Sequence, residues 1–473
     1  MGSKALFLAG EFVETSRVKP VLNPYDRSLV SEICFGAPEH LELAIEAAHE
    51  RLRKNSNWLA HLRAEVLERA RAGIESRLDD FADAIVKEAG KPRGLAIGEV
   101  KRCLDTFTDA AYAARSPLDS VEPLEALASG AGRVGLVKRV PVGPVAGISP
   151  FNFPLNLVAH KVTAAIAAGC PMVLKPASQT PSPALLLAAV LQEAGLPPGM
   201  LSVLPLNHQD ASPLAEDPRI KLLSFTGSPE VGWRLKTQAQ HMRVLLELGG
   251  NAGNIVCSDA DLDLAVSRLA MGGFAYAGQS CISVQRIYVH SSVYAAFVDS
   301  LVAYTSAQVG FGDPEGEGVI TGPLISAGDA DRVERWIRDA CDSGAERALG
   351  GGREGNVVEP TILLNTGDSE DVMAKEVFGP VVNVLPYDEL DEAISRVNES
   401  QFGLQAAIFT QDISNVMKAH AELEVGGVVH NDASAFRVDL MPYGGVKNSG
   451  LGREGPRHAI YEYTEPRILI LRK

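Results

Sequence analysis

The sequence is short of cysteine, of surplus positive charge and of long apolar runs. Its six cysteines, at 34, 103, 170, 257, 281 and 341 of 473 residues, include no C-x-x-C pair and no Cys/His group at zinc-ligand spacing. A disulfide-stapled fold is excluded and no metal centre is expected. Unpaired thiols point instead to a reducing, cytoplasmic setting. Lys and Arg number 44 against 59 Asp and Glu, a formal charge of −15. Such a balance excludes the basic stripe of a nucleic-acid binder. No stretch of 18 apolar residues is free of charge. The most apolar region, 157–174, carries His160 and Lys161 and is broken by Gly169-Cys170-Pro171, so no membrane span is expected. The opening MGSKALFLAGEF lacks an h-region and a cleavage site, and is not read as a signal peptide.

What is present is a long, ordinary globular composition. A 473-residue chain that is 46% hydrophobic can bury a large core spread over two to four units. Apolar residues recur at helical spacing over 39–54 and 63–89, bracketed by Pro38 and Pro92. A further helix is predicted over 94–114, stopped near Pro117. Residues 133–149 are β-rich. Short apolar runs then alternate with helical ones. Strands are expected at 142–149, 172–175, 202–205, 222–225 and 244–248, and helices at 155–168, 183–194 and 231–238. Such alternation predicts a parallel α/β sheet with right-handed crossovers. A second α/β unit starts near 250, with a helix over 261–278, a strand at 286–290, helices at 293–308 and 326–343, and a strand–helix series over 359–429. The tail 461–471 reads as a strand. Its run Ile468-Leu-Ile-Leu471 argues for burial against another element or subunit rather than a frayed end.

Several residues stand where chemistry could be done. Cys281 lies in Gly278-Gln-Ser-Cys-Ile282, with glycines at 272, 273 and 278. A lone cysteine after a helix is more often a buried small hydrophobe; as a nucleophile it must be a thiolate and needs a base or amides nearby. Glu247, in Leu246-Glu-Leu-Gly-Gly250, closes an apolar strand, beyond which ligands bind in parallel sheets. It is either a structural carboxylate or a general base. Asn152, in Ser149-Pro-Phe-Asn-Phe-Pro154, follows a strand and precedes a helix. It is either an N-cap or an amide donor to an oxyanion. Thr226-Gly-Ser228 opens a helix whose free amides suit a pyrophosphate, although it matches neither G-x-G-x-x-G nor a Walker motif. Lys175, before Pro-Ala-Ser178, ends another strand and can reach a ribose or phosphate or simply snorkel.

Taken in order, SPFNFP, LKPASQT, FTGSPEVG, ELGG, GQSC, EVFGP and PYGGVKNSGLGREG resemble the aldehyde dehydrogenase superfamily over nearly the whole chain. The resemblance implies an α/β fold with two Rossmann-like parallel-sheet domains and a small β oligomerisation arm. The cofactor-binding domain would comprise 1–117 and 140–249, the catalytic domain 250–445, and the arm 118–139 and 460–473, making a homodimer or homotetramer. It implies that Cys281 attacks an aldehyde and that the Asn152 amide and the Cys281 N–H hold the oxyanion. The resulting thiohemiacetal gives hydride to NAD or NADP, and Glu247 activates water to hydrolyse the thioester. Lys175 would bind the adenosine ribose, Gly227 and Ser228 the pyrophosphate, and Glu376 the nicotinamide ribose. Phe378, Pro150 and Phe151 would wall the cofactor.

Two departures matter. Many NAD-preferring relatives carry Glu where this chain has Ser178. A carboxylate there would repel a 2′-phosphate and Ser178 would not, so NADP is expected to be accepted. Many relatives carry Trp where this chain has Phe151. By the same resemblance Phe153, Leu157, His160, Ser280 and Ile282 border the aldehyde channel, with Arg102 and Arg437 as cations there or as purely structural residues. A short polar or acidic aldehyde is expected, of the lactaldehyde, glyceraldehyde-3-phosphate or semialdehyde type. Two alternatives stay open: a coenzyme A-acylating semialdehyde dehydrogenase, against which Glu247 speaks, and a non-catalytic protein on the same fold, against which Cys281 speaks.

Overall fold

The computed structural model describes residues 4–54, 58–116 and 118–473. Pro117, and the first three residues of the opening segment, lie outside the described residues. Helical apolar spacing produces Pro38–Arg53, Ala60–Glu75, Leu78–Ala89 and Arg93–Arg115. They turn residues such as Ile45, Leu67, Phe81 and Phe107 inward and most of their charges outward, Glu88, Glu99 and Asp109 being buried exceptions. The stretch 63–89, expected as one helix, is two. The Ser76 hydroxyl donates back to the Gly73 carbonyl at 3.0 Å, and Arg77 leaves helical geometry (φ −120, ψ 27), so the ladder stops there.

The first sheet has eight strands. Its parallel centre runs in the spatial order Leu201–Val203, Met172–Lys175, Val145–Ile148, Leu222–Thr226, Arg243–Glu247. In chain order that is third, second, first, fourth, fifth. The order reverses between Val145–Ile148 and Leu222–Thr226, and the crevice beyond their carboxyl ends is where such sheets take ligands. Asn152 follows the first of these strands and Gly227-Ser228 the second. Short antiparallel strands close the edges, Leu6–Leu8 and Glu11–Val13 on one side and Gly450–Leu451 on the other. These edge strands of two or three residues are too short for alternation to show, and they leave no mark in the sequence pattern. Beneath the sheet, Asn156–Ala168 is buried along its entire length, which is why it reads as apolar all round.

The second sheet orders Glu346–Leu349, Thr361–Leu364, Val381–Tyr387, Val284–His290, Ala252–Val256, Gln405–Phe409 and Gly427–His430. All neighbours are parallel except the first pair. Its fold class is thus the mixed α/β expected. A third, antiparallel sheet pairs Ser120–Glu122, Arg133–Pro141 and Thr464–Arg472. The tail differs from expectation in two ways. Tyr461 belongs to the helix Pro456–Glu462, and Ile468 through Leu471 are 45–56% exposed rather than buried. Among the described residues no helical layer covers that three-stranded sheet, and most of its side chains stay exposed. No helix among the described residues is long and apolar enough to cross a membrane.

Candidate active site

Glu247 ends its strand, and the chain passes to the second sheet through Leu248-Gly-Gly-Asn251. A Cβ on Gly249 would overlap the Glu376 carboxylate, and one on Gly250 the carbonyl of Cys281. Only glycine allows so close an approach. The Gly250 N–H donates to Glu376 Oε1 at 2.9 Å. Two glycines thereby bring the carboxyls of both sheets up to the thiol.

Cys281 arrives on a strained turn. The helix expected over 261–278 ends at Phe274, and Tyr276 (φ 53), Ala277 (φ 55) and Gly278 (φ 66) follow in left-handed geometry. Three such residues in a row persist only where the surroundings fix them. The Tyr276 hydroxyl donates to the Ala89 carbonyl at 2.9 Å. Gln279, fully buried, donates to the Pro323 carbonyl at 3.2 Å and accepts from the Ile325 N–H at 2.9 Å. The Gln279 carbonyl then accepts from Asn152 Nδ2 at 3.0 Å. Asn152 is therefore no N-cap; the next helix begins at Asn156. One Nδ2 hydrogen is committed to Gln279, which fixes the amide plane and leaves the second available.

The Cys281 sulfur is 3.0 Å from the Tyr443 hydroxyl. Cys281 opens onto a cleft, yet burial around the sulfur, and then the charge of Glu247, hold the thiol well above its ordinary pKa. Burial, and then the charge of Glu454, push the Glu247 carboxyl up to about 7, against the pull of Arg437. Its Oε1 is buried without a hydrogen-bond partner. A protonated thiol beside a carboxyl that titrates near neutrality is an acid–base pair suited to nucleophilic catalysis.

All eight residues expected at the cofactor line one cleft of about 780 Å³, together with Cys281, Glu247 and Asn152. Phe151 and Phe378 meet edge to face, centroids 5.9 Å apart, and Phe378 is itself left-handed (φ 46). Ser228 precedes the helix Pro229–Gln238 without capping it through its side chain, so the hydroxyl and first amides remain free for an anion. Burial pushes the Lys175 ammonium down to about 8. His208 and Arg234, which the sequence did not single out, line the same cleft as Ser178. The charges of Lys175, and to a lesser degree of Arg234 and Lys19, hold the His208 imidazole below its usual range. Cations gathered at one end of a cleft suit a phosphate.

The seven residues expected near the aldehyde line none of that cleft. Ile282 packs with Leu404 and Tyr443, with Cys281 against them, and Ser280 is half-buried beside it. Leu157 is buried on the helix Asn156–Ala168. Phe153 carries the Lys91 ammonium 3.7 Å from its ring centre. His160 Nε2 is 2.8 Å from Asp439 Oδ1 and 3.2 Å from Arg437 Nη2. Burial, and then Arg437, keep the imidazole neutral at ordinary pH. Arg102 grips Asp439 through Nε at 3.1 Å and Nη2 at 2.8 Å. Arg102 is thus paired, as the structural alternative for it would have it. Arg437 lies over the Tyr443 ring at 3.6 Å, reaches Glu454 at 3.4 Å, and keeps a buried Nε without a hydrogen-bond partner. Asp439 and Glu454 were missed because their other partners, Arg102, His160 and Lys161, are hundreds of residues away in the chain. Lys161 did leave a signal, as a charge inside an otherwise apolar helix. Its ammonium donates to Thr226 at 2.7 Å and Glu454 at 3.1 Å.

Residues 12–469 match the model of the aldehyde dehydrogenase family. The chain belongs to that family. It is 44% identical over 467 residues to the 3-sulfolactaldehyde dehydrogenase of Priestia aryabhattai, covering 98% of this chain and 97% of that one. Among solved structures, aldehyde dehydrogenase 21 of Physcomitrella patens, in complex with the reaction product succinate, superposes with a TM-score of 0.97 at 40% identity, covering 100% and 99%. A glyceraldehyde-3-phosphate dehydrogenase of Methanocaldococcus jannaschii, complexed with NADP, gives 0.93 at 36% identity, covering 97% and 100%. The enzyme is an NAD(P)-dependent oxidoreductase that oxidises an aldehyde to its acid.

Proposed function

We propose that this dehydrogenase oxidises a short aldehyde bearing an anionic tail, with Cys281 as nucleophile, Asn152 as oxyanion donor and Glu247 as base. The single observation that carries the reading is the convergence of those three side chains from both sheets on one cleft. The Cys281 proton passes to Glu247 and the sulfur bonds to the carbonyl carbon, whose oxygen takes up the π electrons as an oxyanion. The free Asn152 amide hydrogen and the Cys281 N–H meet that charge. When bound, the nicotinamide supplies the acceptor for the hydride that leaves the same carbon. Glu247 releases the first proton to solvent, then takes one from water as the water oxygen attacks the thioester; the C–S bond breaks, the acid leaves, and the proton passes from Glu247 to the sulfur to restore the thiol.

Lys175, Ser228 and Glu376 fit a dinucleotide along the cleft, and Ser178 with Arg234 and His208 fits the 2′-phosphate of NADP. NADP is accepted on this reading, and strict use of NAD in a comparison of kcat/KM would contradict it. Around the aldehyde, Arg102, Arg437 and Lys161 face Asp439 and Glu454. Glu247 faces Arg437 and Lys161 as well, but Arg437 keeps an unused buried donor. An anionic tail would accept from it. The relatives named for 3-sulfolactaldehyde and crystallised with succinate agree with such a substrate. A panel of sulfonated, carboxylated and neutral short aldehydes, assayed for free acid without coenzyme A, tests it. Equal KM for neutral and anionic aldehydes, or equal KM in wild type and Arg437→Met, would contradict it.

The protein is a homodimer or homotetramer on this reading. Val121, Leu136 and Leu469 are directly opposite one another across the third sheet and are 65%, 38% and 56% exposed, an apolar row that asks for a cover. Six cysteines without C-x-x-C spacing in so long a chain suit a reducing cytoplasm.

A further inference from the structure

Lys91 and Glu99 form an ion pair with no exposure to solvent, far from any step assigned above. Replacing such a pair by apolar groups is often neutral or stabilising, so stability alone gives no reason for it. Its neighbours do. The Lys91 ammonium is 3.7 Å from the centre of the Phe153 ring and 4.6 Å from that of Tyr276; the rings meet edge to face at 6.5 Å. Phe153 follows Asn152 directly. Tyr276 begins the left-handed turn to Cys281, and the carbonyl of Gln279, three residues on, holds the Asn152 amide. The other end of the pair acts on the same loop. Glu99 Oε1 accepts from the N–H groups of Leu155 at 2.9 Å and Asn156 at 3.1 Å, pinning the turn that carries Asn152 at the entrance of its helix.

We propose that the Lys91–Glu99 pair is a clamp that sets the oxyanion amide of Asn152 against Cys281. One cation touches an aromatic ring from each of the two loops that build the oxyanion hole, and its carboxylate partner fixes the backbone of one of them. Lys91 and Glu99 are positioning residues and touch no reacting atom. The inference rests on the assignment of Asn152 above. In the Lys91→Met/Glu99→Gln double variant, charge is lost but Gln still accepts from the two amides. Its kcat falls by about tenfold or more, as for a misaimed oxyanion donor. NADP affinity, and the rate at which iodoacetamide alkylates Cys281, need no such donor and stay within about twofold of wild type. Lys91→Arg, which keeps a cation between the rings, recovers most of the kcat. An unchanged kcat in the double variant overturns the clamp. So does a proportionate fall in all three readouts, which would mark a merely structural pair. If the double variant does not fold, Glu99→Gln alone carries the same comparison. Asn152→Ala, measured beside them, separates the two ideas: full activity there overturns the oxyanion assignment itself.

Discussion

The carboxyl of Glu247 is buried between a negative neighbour, Glu454, and a positive one, Arg437. Its base form gains population as pH rises through about 7, so the acid limb of the kcat–pH profile reports it. Glu454→Gln removes a charge that raises the Glu247 pKa, and the limb moves to lower pH. Arg437→Met removes one that lowers it, and the limb moves to higher pH. Shifts of the same sign in both variants would contradict the assignment. At Ser178 the expectation is a change of cofactor. Ser178→Glu places a carboxylate near the 2′-phosphate and cuts kcat/KM for NADP by about tenfold or more while sparing NAD. Equal losses with both cofactors would remove Ser178 from the phosphate site. At this scale the sequence was legible where a candidate residue lies inside a local motif, as Cys281, Glu247 and Asn152 do; the structure brings all three to one cleft. Asp439 stayed hidden because its meaning comes from Arg102 and His160, which are 337 and 279 residues away.

Among elements, those with a sustained period could be read. The strand Met172–Lys175 and the helix Arg93–Arg115 stand close to where alternation and helical spacing put them. The turn at 276–278 could not be read, because Tyr276 and Ala277 take left-handed geometry that their own side chains disfavour. That geometry is imposed by Ala89, Pro323 and Gly379, which the local sequence does not contain. A Cβ on Gly278 would overlap the Gly379 carbonyl. Gly278→Ala is expected to cost about 2 kcal/mol or more and to lower activity together with the melting temperature. A variant with wild-type melting and activity would show that the turn relaxes freely.

Taken as a whole, the molecule joins two parallel sheets through Gly249-Gly250 and leaves a third sheet uncovered. The Ile468–Leu471 run pairs with Arg133–Pro141 as a strand, yet its side chains stay exposed within this chain; a second chain is the cover proposed for them. Light scattering on the purified enzyme is expected to give a dimer or tetramer, and Leu469→Asp a smaller species; a monomeric wild type would contradict the apolar row as an interface. The central claim joins both sheets in one reaction: Cys281 carries the acyl group and Glu247 releases it. Glu247→Gln acylates slowly, because its thiol must ionise to solvent without the base, but it lacks the group that releases the acyl; incubated at length with aldehyde and NADP, it is predicted to accumulate an acyl adduct on the peptide containing Cys281, read by intact-mass and peptide mass spectrometry. The absence of an adduct, or an adduct on any of the other five cysteines, would contradict the account.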